Sequence, residues 1–240
     1  MTPKRPQKPP ILTRDSIQSG EIRQRMQAHA AAHGNSFHIN SEEALIASRQ
    51  SMFPRGRPEG DVWLFGYGSL IWNPTIEFSA RTNMTVYGYH RSFCLWTNMG
   101  RGSPEQPGLM LGLDRGGCCR GLGFRIPQQI VERELDIIWR REMVSDAYRP
   151  TWLKGRDENG DPIQAIGFVV RRDHLRYAGT VDEKEMADVI AKAEGFLGPC
   201  ADYLVNTVDH LNAMSMPDKR LQRLHDLVVA QQRETNIAAD

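Results

Sequence analysis

The 240-residue sequence predicts an α+β protein: a curled mixed β-sheet or small β-barrel covered by helices, preceded by an N-terminal helical extension. Three observations carry this reading. Apolar residues between Asp61 and Val170 come in short runs edged by glycines, as strands do. Helical periodicity is confined to one segment inside that region and three segments after it. A proline- and glycine-rich stretch, Pro54 to Gly60, separates all of this from a polar N-terminal part.

Taken in chain order, residues 1–10 hold four prolines and two lysines, bury little and read as a disordered tail. Residues 11–60 read as the helical extension: Thr13-Arg14-Asp15-Ser16 opens a polar helix reaching about His33, and Ser41-Glu42-Glu43 starts a short helix through Ile46. The main domain, residues 61–232, begins with the run Val62 to Phe65. The runs Met84 to Tyr89, Ser92 to Trp96, Leu109 to Leu113, Gly121 to Ile126 and Ile163 to Val170 supply the remaining predicted strands. Asp114-Arg115-Gly116-Gly117 and Asp157-Glu158-Asn159-Gly160 carry the composition of hairpin turns. Helices are predicted over Gln129 to Met143, Asp182 to Gly195, Cys200 to Met214 and Asp218 to Gln231.

Thirty basic against 29 acidic residues leave a net charge of +1, so no bulk field recruits nucleic acid or an anionic membrane, and a small-molecule substrate is expected. No run approaches the ~18 apolar residues of a membrane span, and the N-terminus lacks a signal peptide's apolar core; the expected location is the cytoplasm. The protein is expected to act as a monomer or weak dimer. The four cysteines form no CxxC pair, and the seven histidines form no HExxH, so neither a metal nor any other cofactor is expected. Cys118 and Cys119 are read as small hydrophobes, with a nucleophilic thiol as the alternative.

Two features carry chemistry. In Trp63-Leu64-Phe65-Gly66-Tyr67-Gly68-Ser69-Leu70-Ile71-Trp72, two glycines flank a tyrosine directly after a buried strand. The backbone there can turn sharply and present N–H groups to a carboxylate or oxyanion, or it is an ordinary tight turn. Neither GxxxxGK[ST] nor GxGxxG is present. The second feature is Glu142. At about 100° per residue, Val131, Leu135, Ile138 and Trp139 share one stripe with Glu142 in its middle, whereas Arg133, Glu134, Asp136, Arg140 and Arg141 point elsewhere. A carboxylate on an apolar stripe has a raised pKa, as a general base near neutral pH requires. The alternative is a frayed helix end with Glu142 at the rim or paired with an arginine.

The string Phe65 to Trp72 resembles the signature of the ChaC-type γ-glutamylcyclotransferases, within the wider γ-glutamylcyclotransferase superfamily. The stretches Val86 to Phe93, Arg101 to Gly108 (with Ser103 where threonine is more usual), Arg141-Glu142 and Gly195 to Leu204 resemble that family's later motifs in order and spacing. The resemblance spans roughly Asp61 to Val229. It implies a γ-glutamylcyclotransferase-like fold and cleavage of glutathione to 5-oxoproline and cysteinylglycine, the substrate's own α-amine attacking its γ-carbonyl. Glu142 is then the catalytic acid/base, and the run Leu64, Phe65, Gly66, Tyr67, Gly68, Ser69, Leu70 binds substrate, chiefly through backbone N–H groups from Gly66 to Leu70. Arg101 is implied to pair with a substrate carboxylate, and Tyr177 to face the substrate. Tyr148 and Trp72 either line the pocket or belong to the core, and Ser69 is expected to bind through its hydroxyl rather than attack. Two other readings stay open: a cyclotransferase acting on other γ-glutamyl amines, and a catalytically silent binding protein of the same fold.

Overall fold

The computed structural model describes residues 12–32 and 38–239; the expected tail at 1–10 and the predicted helix end at His33 lie outside the described residues. Five strands, β1 (Val62–Gly66), β2 (Ala80–Thr97), β3 (Gly108–Ile126), β4 (Tyr148–Asp157) and β5 (Pro162–Val170), close into a barrel in the order β1-β3-β2-β4-β5. All adjacent pairs are antiparallel except the closure, where β1 and β5 run parallel with Trp63 opposite Ala165 and Leu64 opposite Ile166. Closure removes the sheet edges that a five-stranded open sheet would leave. Leu64, Phe65, Leu111, Leu113, Phe124, Ile166 and Phe168, inside the barrel or under its helical cover, are buried at 0–1% exposure.

The Asp114 to Gly117 segment is not a hairpin turn. β2 and β3 run unbroken for 18 and 19 residues, and the register jumps from Tyr87↔Cys118 to Tyr89↔Arg115, so Gly116 and Gly117 together face Gly88. Gly88, Gly116 and Gly117 all have positive φ, at 82°, 104° and 71°. The glycines that signalled a turn thus form a bulge, which bends two long strands around the barrel. The hairpin connection of this pair is instead the loop after Thr97, the one that carries Arg101. The turn at Asp157 to Gly160 does join β4 to β5. β4 itself escapes the sequence reading because Tyr148 to Asp157 is mostly polar and contains Pro150.

The expected long polar helix is two helices, α1 (Arg14–Gln18) and α2 (Glu21–Ala32), broken where Gly20 takes φ 77°. Thr13 caps α1, and Ser16 returns the bond as a capping box. Ser41 caps α3 (Glu42–Gln50), which runs a full turn past the expected end at Ile46. The remaining helices are α4 (Val131–Glu142), on which the extension packs, and α5 (Glu183–Lys192), α6 (Cys200–Ala213) and α7 (Lys219–Ala239), which pack on one another. A two-residue ribbon, β6 (Glu194–Gly195) and β7 (Gly198–Pro199), leads into α6. α4 lays Leu135, Ile138 and Trp139 on the barrel, Trp139 meeting Phe168 edge-on at 5.3 Å.

The extension is bound to α4 at both ends of that helix. Arg14 grips Glu134 with two hydrogen bonds of 2.6 and 2.8 Å, and Asn40 donates from its side chain to the Met143 carbonyl at 2.9 Å. Arg49 pairs with Asp136, Arg140 with Glu42, and Trp139 donates to Ser48. Two charges on α4 therefore do not point away from the core as the periodicity suggested. Glu134 is fully buried and Arg141 nearly so, each made tolerable by dedicated partners.

Candidate active site

β1 ends at Gly66, and the chain turns through Tyr67 and Gly68 into a 3-10 turn, Ser69–Ile71. Leu64 and Phe65 are strand-paired with Phe124 and Gly123 and wholly buried. They cannot reach a ligand with their side chains; their part is to fix where the turn begins. Tyr67 is buried and donates its hydroxyl to the Phe168 carbonyl at 2.9 Å. At Gly68 a Cβ would lie 2.8 Å from the Tyr203 hydroxyl, so the close approach of α6 excludes any side chain there.

Glu142 is the last residue of α4, its side chain 17% exposed and 2.9 Å from Nε of Arg141. Both sequence readings of this residue were therefore half right. It sits at a helix end and pairs with an arginine, yet burial still carries its pKa above the ordinary 4.5 against the pull of that arginine. The position opposes ionisation further, because a helix C-terminus is the negative end of its dipole.

Arg141 is the residue that joins the two features. Its guanidinium donates to Ser69 Oγ at 2.9 Å, to Thr75 Oγ1 at 3.0 Å and to the Asn73 carbonyl, while its Nε lies 2.9 Å from Glu142 Oε1 as an ion-pair contact without hydrogen-bond alignment. One buried fork thus fixes the carboxylate relative to the Tyr67 to Leu70 loop. The loop is braced from behind as well, by Asn73 Nδ2 on the Leu12 carbonyl at 2.9 Å and by Arg14 on the Thr75 carbonyl at 3.3 Å.

Three buried tyrosines lie near enough to Glu142 to sense its charge. For Tyr67, Tyr148 and Tyr203 alike, burial raises the phenol pKa and the Glu142 charge adds to it, which locates all three in its neighbourhood. Tyr148 donates to the Leu111 carbonyl at 2.8 Å. Trp72 packs edge-on against Tyr203 at 6.2 Å. Arg101 reaches the same quarter: it is half-buried, donates to the Pro199 carbonyl at 3.0 Å and lies beside Tyr203.

Tyr177 is not brought to this group. Its hydroxyl donates to Asp114 at 2.8 Å, with Arg172 6.0 Å from its ring centre, although its ring packs against the same small apolar cluster as Tyr148. The thiols are likewise apart or inert. Burial pushes Cys94 up to about 12 and Cys200 up to about 11, and raises Cys119 too. Sequence reasoning gave no role to Tyr203 or to the arginine at 141. The signal for Tyr203 was the one that marked Glu142: a polar tip on the apolar stripe formed with Cys200, Leu204, Thr207 and Leu211.

The barrel with its helical cover is the fold of the γ-glutamyl cyclotransferases. A solved structure of a yeast γ-glutamyl cyclotransferase specific to glutathione superposes with a TM-score of 0.67 at 18% identity, covering 73% of this chain and 99% of that one. The family model described as ChaC-like protein matches residues 62–231, and the chain belongs to that family. It is 40% identical over 190 residues to the glutathione-specific γ-glutamylcyclotransferase of Escherichia coli, covering 79% of this chain and 81% of that one. The human glutathione-specific γ-glutamylcyclotransferase 1 is 30% identical over 167 residues, covering 67% of this chain and 75% of that protein. Among the described residues no helix is long and apolar enough to cross a membrane.

Proposed function

We propose that this protein is a cytoplasmic glutathione-specific γ-glutamylcyclotransferase with Glu142 as its acid/base and the Gly66 to Leu70 backbone as its cradle for the glutamyl group. The observation that carries the reading is the Arg141 fork, which holds a desolvated carboxylate against that loop. The names of the similar proteins support glutathione as the substrate.

Glu142 takes a proton from the substrate's α-ammonium, and the freed nitrogen lone pair attacks the γ-carbonyl carbon. The carbonyl oxygen becomes an oxyanion facing the loop N–H groups. When the C–N bond of the amide breaks, Glu142 returns its proton to the departing nitrogen; the second proton shed by the ring nitrogen leaves with the released amine as its ammonium. The products are 5-oxoproline and cysteinylglycine. The substrate supplies its own nucleophile, so the protein's work is to fold the glutamyl chain into attacking geometry and move one proton. Arg101 is proposed as the partner of a substrate carboxylate, its guanidinium already half-buried beside the pocket. Tyr177 is withdrawn from the proposed site, because Asp114 holds its hydroxyl elsewhere.

The test is to supply purified protein with glutathione and with γ-glutamylalanine separately and follow 5-oxoproline. Turnover of γ-glutamylalanine alone overturns the substrate assignment. Glu142→Gln preserves size and removes the base, and turnover should fall by about two orders of magnitude or more. Because the base must be ionised and its pKa is raised, kcat/KM should decline on acidification at a pH above 4.5, the ordinary glutamate value.

A further inference from the structure

The three phenols near Glu142 differ in what their protons do. Those of Tyr67 and Tyr148 are spent on the backbone carbonyls of Phe168 and Leu111, at 2.9 and 2.8 Å. Tyr203, only 4% exposed, donates to no acceptor among the described residues. Its oxygen instead rests on the cradle, 2.8 Å from where a Cβ of Gly68 would be and facing the Ser69 N–H. The ring cannot swing away readily: Trp72 and Phe93 clamp it edge-on at 6.2 and 6.0 Å. A fixed hydroxyl with an unused proton, set over backbone N–H groups and beside the base, is the arrangement of an oxyanion donor.

We propose that the Tyr203 hydroxyl is a catalytic group, donating a hydrogen bond to the γ-carbonyl oxygen as it becomes an oxyanion. The proposal rests on the γ-glutamyl amide reading above. No proton is transferred in this step. The phenol stays neutral, the negative charge sits on the former carbonyl oxygen, and it collapses back to a carbonyl when the amide nitrogen departs. Burial, reinforced by the Glu142 charge, holds the phenol above its ordinary range, so it is still protonated at the pH where Glu142 becomes ionised. The Ser69 N–H, which faces the phenol oxygen, polarises the hydroxyl toward the substrate oxygen without requiring the ring to move.

The experiment begins with wild-type turnover of glutathione; if the protein cyclises no γ-glutamyl amide, the functional reading falls, and this proposal with it. Given turnover, Tyr203→Phe keeps the ring between Trp72 and Phe93. It should lower kcat on the order of 100-fold with KM within about threefold, leaving the acid limb of the pH profile in place because Glu142 is untouched. Tyr87→Phe and Tyr89→Phe, phenols on β2 outside the site, should keep kcat within about threefold. A Tyr203→Phe enzyme within threefold of wild type, or one no worse than the other two variants, overturns the proposal while leaving the cyclotransferase reading intact. Independently of how Tyr203→Phe folds, 3,5-difluorotyrosine at 203 keeps ring and hydroxyl but makes the phenol more acidic. A donor that ionises stops donating, so the alkaline fall of kcat should move to lower pH; an unmoved alkaline limb also overturns the proposal.

Discussion

Replacing Arg14 by alanine removes the outer half of a buried ion pair eight residues before the proposed base. Glu134 is fully buried and takes 2.6 and 2.8 Å hydrogen bonds from the two Arg14 nitrogens. Breaking such a pair from one side typically costs about 3–5 kcal/mol. Two features reduce that figure: the Arg14 side chain is 24% exposed, and Glu134 keeps Arg133 Nε at 2.8 Å and the Glu77 N–H at 2.9 Å. The expected loss is therefore about 2–3 kcal/mol, and at roughly 2–4 °C per kcal/mol for a domain of this size the melting temperature should drop by about 4–12 °C. The pH dependence has a definite sign. Burial pushes the Glu134 carboxyl up, but the bonds from Arg14, the Glu77 N–H and Arg133 outweigh it and hold the pKa below the ordinary 4.5. The stabilisation is thus complete above pH 4.5 and is lost as pH falls through the folded value. Urea unfolding of wild type, Arg14→Ala, Glu134→Gln and the double variant, at pH 7 and pH 3, measures it. The gap between wild type and Arg14→Ala should narrow in acid, and the cycle should show coupling at pH 7. A gap under about 1 kcal/mol, or one equal at both pH values, would falsify the reasoning.

Glu142→Gln should become progressively more stable relative to wild type as pH rises from about 4 to 7. The raised native pKa means the wild-type fold binds its proton more tightly than the unfolded chain and loses stability on deprotonation, by about 1.4 kcal/mol for each tenfold difference in proton affinity between the two states. Urea midpoints across that range measure it, and a constant difference contradicts the desolvation argument. Cys118→Ser together with Cys119→Ser should keep turnover within about twofold, with about 1 kcal/mol of stability lost where Cys119 packs against Arg91. Abolished turnover in a folded protein would favour thiol chemistry instead.

How much of this was legible in the sequence depended on whether the signal was periodic or positional. The stripe on Gln129 to Met143 located α4 to within two residues and singled out Glu142, because burial of a helix face is written in its spacing. Thr13, Ser41 and Asp182 each cap a helix as their residue types suggest. The failures are tertiary. Gly116-Gly117 offers positive φ, and whether that freedom serves a turn or a bulge is decided by the partner strand, with Gly88 opposite. The burial of Glu134 and Arg141 depends on partners 57 to 120 residues away, which no local window contains. Tyr203 falls within a motif of the sequence, but the reason for it is an approach to Gly68 across the fold.

The bonds between the extension and α4 also bear on the order in which the chain assembles during synthesis. Arg14, Asn40 and Arg49 emerge early, but their partners follow 120, 103 and 87 residues later. Until α4 has left the ribosome these side chains have nowhere to dock, and their long loops close at an entropic cost met only when Glu134 and Met143 arrive. The extension therefore settles only once α4 is available. The helix that carries Glu142 gains its outer brace only at that point, so docking of the extension and bracing of α4 fall in the same step.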